Sequence, residues 1–373
     1  MGRLTGRPWT VWRITGTAAA IGLLAACGVR SGDAGVRTQN PASQATARQA
    51  ACQPQVLFLP TRTTNEASTA EAINDDGWVA GESAGKAVLW RDNEPPLDLG
   101  VRGRPVDINE DGDIAIQRYE ESAAYLWSNG TLRRLRGTRS RPNVYVNALN
   151  DHGVVVGTVF GRETFNARAA IWRNGELRLL RHPAEAQPFA YSGTDINNSG
   201  LVIGQGGRYP GNHLWWRTDG RGGALSTRSS PRAHAIYVDD RGRIVGFVAP
   251  RGRGDPVGPI IKWRSVHSDP KKFLDRRANE VNALHPDRGY LVGQQERRAF
   301  LAHLGDDRTT LLPDPPETGG GFAVNSSVAH GVGTGHSPNA PNGAVTVAGT
   351  VSYSSQTGGG YRAVLWTCAQ SYR

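Results

Sequence analysis

Apolar and polar positions fall into one phrase that returns seven times between Ala70 and about Trp366. It runs as an apolar pair ending in Asn, a polar turn to Gly, a Val-rich stretch ending in Gly, and an apolar run ending in Trp. The clearest copy is Ala72-Ile73-Asn74-Asp75-Asp76-Gly77-Trp78-Val79-Ala80-Gly81, followed by Ala87-Val88-Leu89-Trp90 and Leu97-Asp98-Leu99. Further copies carry Asn109, Asn150 and Asn197, with Gly112, Gly153 and Gly200 three residues on and runs ending at Trp127, Trp172 and Trp215 or Trp216. A fifth has Asp239 in the Asn position before Gly242 and runs to Trp263. The sixth has His285 there, and its run Ala299-Phe300-Leu301-Ala302 lacks the Trp. The seventh, Val345 to Gly349 and Ala363 to Trp366, follows a degenerate first strand near Val328 to Val332.

Steps from Asn74 to Asn109, Asn150, Asn197 and Asp239 are 35, 41, 47 and 42 residues, the period of solenoids and propellers. The apolar stretches are short, rich in Val, Ile and Trp, and bounded by Gly, Asn and Asp, which predicts strands. No stretch keeps a helical apolar period for three turns. Asn129-Gly130 and Asn174-Gly175 suit two-residue type I′ hairpins, because both residues tolerate positive φ. Each unit therefore reads as four short antiparallel strands. A sheet that small buries its faces only against neighbours, and blades around an axis achieve this while leaving short edges. The chain is expected to be all-β: a β-propeller of seven four-stranded blades over residues 52–373, 46 residues to a blade.

The seventh unit stops within seven residues of Trp366, too early for a fourth strand. Gln55 to Leu59 supplies a candidate, so the N-terminal strand is expected to complete the last blade and close the ring. Cys52 and Cys368 then flank the paired strands, and in an oxidising compartment such cysteines cross-link. The loop they close spans 316 residues, for which chain entropy sets an upper value of about 5 kcal/mol.

The compartment is read from the first residues. Arg3, Arg7 and Arg13 precede an apolar run from Ile14 to Ala26, too short to span a bilayer but suited to a signal-peptide core. The run ends Leu24-Ala25-Ala26-Cys27-Gly28, which resembles the bacterial lipobox. That resemblance implies cleavage before Cys27 and a lipid anchor on it; two acyl chains anchor stably where one does not. Residues 1–26 are thus expected to be a lipoprotein signal peptide and 27–51 a lipidated cysteine with a flexible linker poor in apolar residues. The expected location is the extracytoplasmic face of a bacterial membrane.

The net charge of +10 becomes +7 without residues 1–26, and 39 of the 43 basic residues are Arg. A basic face attracts polyanions such as acidic glycans or wall polymers, although an Arg bias also arises from a GC-rich genome. Export and the lack of an aromatic-basic RNA signature argue against nucleic acid. Gly81-Glu82-Ser83-Ala84-Gly85 matches a nucleophile elbow, but that motif needs a strand-to-helix turn; here it falls in a loop between strands. The nine His are scattered, and Asp75-Asp76 and Asp111-Gly112-Asp113 lack a full calcium-loop run, so neither metal nor cofactor is expected. The recurrent Asn is assigned to bonding its own turn backbone, and the recurrent Trp to blade packing.

The phrase Ile-Asn-x-x-Gly-x-Val-x-Gly followed by Ala-x-x-Trp resembles the HAF family of bacterial extracellular repeats over residues 70–366. The resemblance implies an exported β-repeat protein and supplies no catalytic residues. The favoured function is a surface-tethered, non-enzymatic binding or scaffold lipoprotein, monomeric and recognising an anionic glycan or wall polymer. The alternative is a propeller hydrolase or lyase acting on extracellular glycans or peptides. Long stretches outside the repeat are Arg136–Asn143, Arg181–Ser192, Pro250–Pro259 and Pro313–Asn342. Arg251 and Arg253 form the candidate binding loop. A carboxylate pair at a channel mouth would favour the enzyme; an aromatic or basic rim would favour binding.

Overall fold

In the computed structural model the described residues are 55–58, 67–91, 94–162, 166–181, 190–206, 212–250, 258–274, 278–306, 309–315, 323–334, 344–355 and 358–368. All lie within the unit Cys52–Arg373. The first strand is β1 (Gln55–Phe58). Blade 1 holds β2 (Ser68–Ile73), β3 (Val79–Ser83), β4 (Lys86–Trp90) and β5 (Leu97–Asp98). Blade 2 holds β6 (Arg104–Ile108), β7 (Ile114–Arg118), β8 (Ala123–Ser128) and β9 (Thr131–Leu135). Blade 3 holds β10 (Asn143–Leu149), β11 (Val154–Phe160), β12 (Arg168–Arg173) and β13 (Glu176–Leu179). Blade 4 follows with β14 (Tyr191–Ile196), β15 (Leu201–Gly206), β16 (Asn212–Arg217) and β17 (Gly222–Ala224), and blade 5 with β18 (Ala233–Val238), β19 (Ile244–Val248), β20 (Ile260–Trp263) and β21 (Lys271–Leu274). Blade 6 has β22 (Ala278–Leu284), β23 (Tyr290–Gln295), β24 (Arg298–His303) and β25 (Thr309–Leu311). Blade 7 has β26 (Ala323–Gly333), β27 (Val345–Ser355) and β28 (Gly358–Cys368).

The sheets are seven, each of four strands, and every described pairing is antiparallel. In blade 7 the fourth strand is β1, with Gln55 opposite Thr367 and Phe58 opposite Val364. The first strands of successive blades touch one another in cyclic order, and β26 touches β2. This is a seven-bladed β-propeller with its first strands around the axis. Among the described residues no helix is long and apolar enough to cross a membrane.

Antiparallel order gives the disc two unlike faces. The turns after each first strand and the hairpins between third and fourth strands lie on one, called here the turn face. The connections between second and third strands and between blades lie on the other, the loop face. Those parts of the four long non-repeat stretches that are described before β26 lie on the loop face.

Packing explains the recurrent residues. Trp172, Trp216, Trp263 and Trp366 are almost fully buried, and each indole N–H donates to a backbone carbonyl in the stretch before its own blade. The acceptors are Arg136, Arg181, Ser226 and Pro313, at 2.7–2.9 Å. Truncating such a residue to Ala costs about 3–5 kcal/mol. The recurrent glycine within the second strand has a stricter cause. A Cβ on Gly204 would lie 2.0 Å from the Ser192 carbonyl and 2.8 Å from the Trp216 ring, and Gly81 and Gly349 are as tightly enclosed. Positive φ at Asn129, Gly130, Asn174 and Gly175 matches the type I′ turns expected there.

Three readings need correction. Strands are not short in every unit: β26, β27 and β28 have 11 residues each. Compared with blade 1, each is four residues longer at the loop-face end, an arm about 13 Å high at roughly 3.3 Å per residue. Gly81, Glu82 and Ser83 belong to β3 rather than to a loop, and only Ala84 and Gly85 form the turn. The recurrent Asn does more than bond its own turn, as described next.

Candidate functional site

Each first strand carries a one-residue β-bulge three residues before its turn residue. Glu71, Asn147 and Thr194 occupy it in blades 1, 3 and 4, and Asn282 and His330 in blades 6 and 7. A bulge re-aims a side chain without ending the pairing. Around the axis two of these join neighbouring blades, Asn147 Nδ2 donating to the Gly193 carbonyl (2.6 Å) and Asn282 Nδ2 to that of Ala329 (3.0 Å). Thr194 Oγ1 instead donates to the Ile203 carbonyl within its own blade, and blades 2 and 5 have Val106 and Ile236 at the bulge.

A second ring lies at the turn face. Asn74, Asn109, Asn150 and Asn197 are buried. Each side-chain oxygen accepts from the backbone N–H four residues on, at 2.8–3.0 Å, as turn chemistry requires. Each amide nitrogen donates to the equivalent carbonyl of the next blade, from Asn74 to Asn109 (3.2 Å), Asn150 (3.2 Å), Asn197 (3.0 Å) and Asp239 (2.7 Å). Asp would satisfy the turn but could not donate, so recurrence of Asn rather than Asp was the signal for this ring. Asp239 breaks the series and is held instead by Arg243 Nε at 2.6 Å. The series ends differently again: His285 Nε2 contacts Asp75 Oδ1 (2.9 Å), and Thr334 N donates to the same oxygen (2.6 Å). Although burial raises its pKa, His285 and then Thr334 hold the Asp75 carboxyl below its ordinary value.

Acids beside the ring are engaged too. Glu110 accepts from Asp75 N with both oxygens (3.1 and 3.0 Å), and Asp151 accepts from Glu110 N. Burial, then the charge of Asp75, pushes Glu110 up to about 7. Among the described residues no group of His, Cys, Asp and Glu could hold a metal ion.

Toward the loop face the axis differs from blade to blade. Glu71 is 7% exposed and bonds Arg104 of blade 2 at 2.5 Å. Burial opposes its charge, but His330 and then Arg104 bring it below the ordinary carboxylate value. Glu82, opposite Thr69 on the neighbouring strand, moves the other way, raised by burial and then by the charge of Glu71. A carboxylate pair with opposite proton affinities therefore sits beside one guanidinium.

Next to it stands an aromatic group outside the repeat. Tyr119, 51% exposed, lies 6.1 Å from the ring of Tyr145, itself 4.8 Å from Phe160, both at tilted angles within the favourable range for aromatic pairs. On the same face of blades 2 and 3, Arg102, Arg136, Arg139 and Arg162 are exposed. Among the described residues none of the four has an ion-pair partner. Blades 4 and 5 contribute a third group: His213 is buried, 4.5 Å from His234, which stacks on Phe247. Burial, then the neighbouring His234, lowers His213 to about 3.

Of the residues expected to act, Cys368 is buried at the end of β28. Cys27, Cys52, Arg251 and Arg253 lie outside the described residues. The Tyr119 group went unread because its aromatics fall between repeat positions; the Arg136–Asn143 stretch was the pointer to it.

No protein-family model matches the chain, and no curated protein matches it in sequence. Its fold is similar to solved structures at low identity. Two are of the extracellular domain of BT4673 from B. thetaiotaomicron, named as part of a one-component system in one structure and of a hybrid two-component system in the other. Both are 8% identical with a TM-score of 0.51, covering 83% and 84% of this chain. This chain spans 39% of the length of each. A third, the AfRom2 CNH domain, is 7% identical with a TM-score of 0.44, covering 86% of this chain and all of that one.

Proposed function

We propose that the chain is a surface-tethered binding or scaffold lipoprotein that holds an anionic glycan or wall polymer without transforming it. One observation carries this reading: polar groups repeated around the axis are engaged in inter-blade bonds, whereas the loop face keeps an exposed tyrosine and arginines without an ion-pair partner among the described residues. The likeness to an extracellular domain supports such a setting. Anchoring through Cys27 and kinship with the HAF repeats belong to the same proposal. So does closure of the ring by β1 with a Cys52–Cys368 disulfide, supported by the position of Cys368 next to Thr367, the partner of Gln55. Detergent-solubilised mature protein is expected to bind acidic polysaccharides and not neutral ones, more weakly as salt rises, and Cys27→Ser to leave the membrane fraction. Equal retention on neutral polymers refutes the first; a fully membrane-bound variant refutes the second.

A second reading, a hydrolase or lyase acting on extracellular glycans or peptides, draws on the Glu71 and Glu82 pair, since carboxylates with diverging proton affinities divide acid and base roles. Turnover of a glycan or peptide that Glu82→Gln abolishes would replace the binding reading.

A further inference from the structure

We infer that the loop face of blades 2 and 3 is a binding site for a uronic-acid polysaccharide, with Tyr119 as the platform for a sugar ring and Arg102, Arg136, Arg139 and Arg162 as counter-charges to its carboxylates. The inference rests on the binding reading above and names where and what the protein binds.

Tyr119 sits in the turn between β7 and β8 with half of its surface in water. Its ring is not loose. Tyr145 braces it, and Phe160, diagonal to Tyr145 across β10 and β11, braces Tyr145. A braced aromatic that stays exposed gives a flat apolar surface whose ordering cost is already met by the fold. A pyranose offers such a surface the C–H groups of one ring face.

Charge selects among sugars. Arg104 is held by Glu71, Arg118 by Glu121 at 2.6 Å, and Arg141 by Asn166 at 2.7 and 2.8 Å. Arg102, Arg136, Arg139 and Arg162 have no ion-pair partner among the described residues, and beside them Glu121 is paired with Arg118 while Glu120 is exposed and unpaired among those residues. Guanidinium groups pair with carboxylates in bidentate fashion. A polymer with one carboxylate on each ring satisfies the platform and the arginines together, whereas a polyol phosphate chain has no ring face to lay on Tyr119.

The test uses the full mature protein in detergent with three probes, polygalacturonate, polyphosphate and dextran, at about 50 and 500 mM salt. Wild type is expected to bind polygalacturonate, less at high salt, and to ignore dextran. Tyr119→Ala should weaken polygalacturonate binding roughly tenfold and leave any polyphosphate binding unchanged, with Tyr119→Phe close to wild type. Arg102→Ala with Arg139→Ala should weaken binding of both polyanions. If wild type binds polygalacturonate and neither the Tyr119 nor the Arg variants matter, the site is wrong while the binding reading stands. If polyphosphate binds as tightly, with Tyr119→Ala without effect on either polymer, the uronate assignment is wrong. Failure of every probe to bind overturns both. Unchanged unfolding temperatures of the variants show that the fold is intact.

Discussion

Replacing Asn197 tests the inter-blade ring at a site where structure separates two roles of one side chain. Its Oδ1 accepts from Leu201 N at 2.8 Å, its Nδ2 donates to the Asp239 carbonyl at 2.7 Å, and the residue is 2% exposed. Asn197→Ala takes the side-chain acceptor from the buried Leu201 N–H, at about 1–3 kcal/mol, and removes one of two bonds to the Asp239 carbonyl, which keeps Gly242 N at 2.9 Å, at about 0.5–1.5 kcal/mol; the loss is about 2–4 kcal/mol. At roughly 2.1 cal/mol/K per residue of unfolding entropy, 3 kcal/mol lowers the unfolding temperature of a domain this size by about 4 °C. Asn197→Asp keeps the turn bond but aims an acceptor at a carbonyl. Blade 5 tolerates Asp239 because Arg243 stands four residues on, whereas blade 4 has the buried Leu201 there. The new carboxyl should therefore have a raised pKa in the folded state. A raised carboxyl pKa means that the folded state binds more protons, so the variant loses stability as pH rises above about 4. Urea unfolding of both variants from pH 4 to 8 measures this. An Asn197→Ala variant within about 0.5 kcal/mol of wild type, or an Asn197→Asp variant whose deficit does not grow with pH, would refute the reasoning.

Gly204→Ala should cost more than about 3 kcal/mol, because its methyl would lie 2.0 Å from the Ser192 carbonyl; a circular-dichroism melt matching wild type would count against the close approach. His213, lowered to about 3 by burial and then His234, stays neutral in the folded state while the unfolded chain takes up a proton below about 6.5. Stability should accordingly fall from pH 6.5 toward 3, with a shallower slope in His213→Gln; identical slopes in calorimetry would show that His213 is not responsible. Non-reducing peptide mapping should recover Cys52 and Cys368 as one linked pair, and finding both as free thiols would remove the covalent part of the proposed closure.

The propeller was legible because one constraint repeats. Trp216 and Gly204 recur in kind because the indole lies over a glycine in a fixed register, and Asn129-Gly130 names its turn from two residues alone. What the sequence hid depends on neighbouring blades. Asn197 bonds Leu201 within its own turn, which turn chemistry anticipates, but its bond to Asp239 joins residues 42 apart. The pairing of Glu71 with Arg104 needs a bulge that no local preference announces, since bulges answer to the partner strand. The Tyr119, Tyr145 and Phe160 group is legible only once two blades are side by side.

The junction of His285, Thr334 and Asp75 bears on blade order. Every other seam along the Asn series is generic: a blade's amide meets the next blade's carbonyl, and any copy could follow any other. Generic seams cannot count. A chain of six or eight copies would make them equally well, and duplication or loss of a unit would leave them intact. The His285 imidazole, the Thr334 backbone and hydroxyl, and the Asp75 carboxylate meet only when blade 7 stands between blades 6 and 1. A repeat array that grows by copying thus carries a terminus-specific latch, and three divergent side chains fix which blades stand side by side where the ends of the array meet.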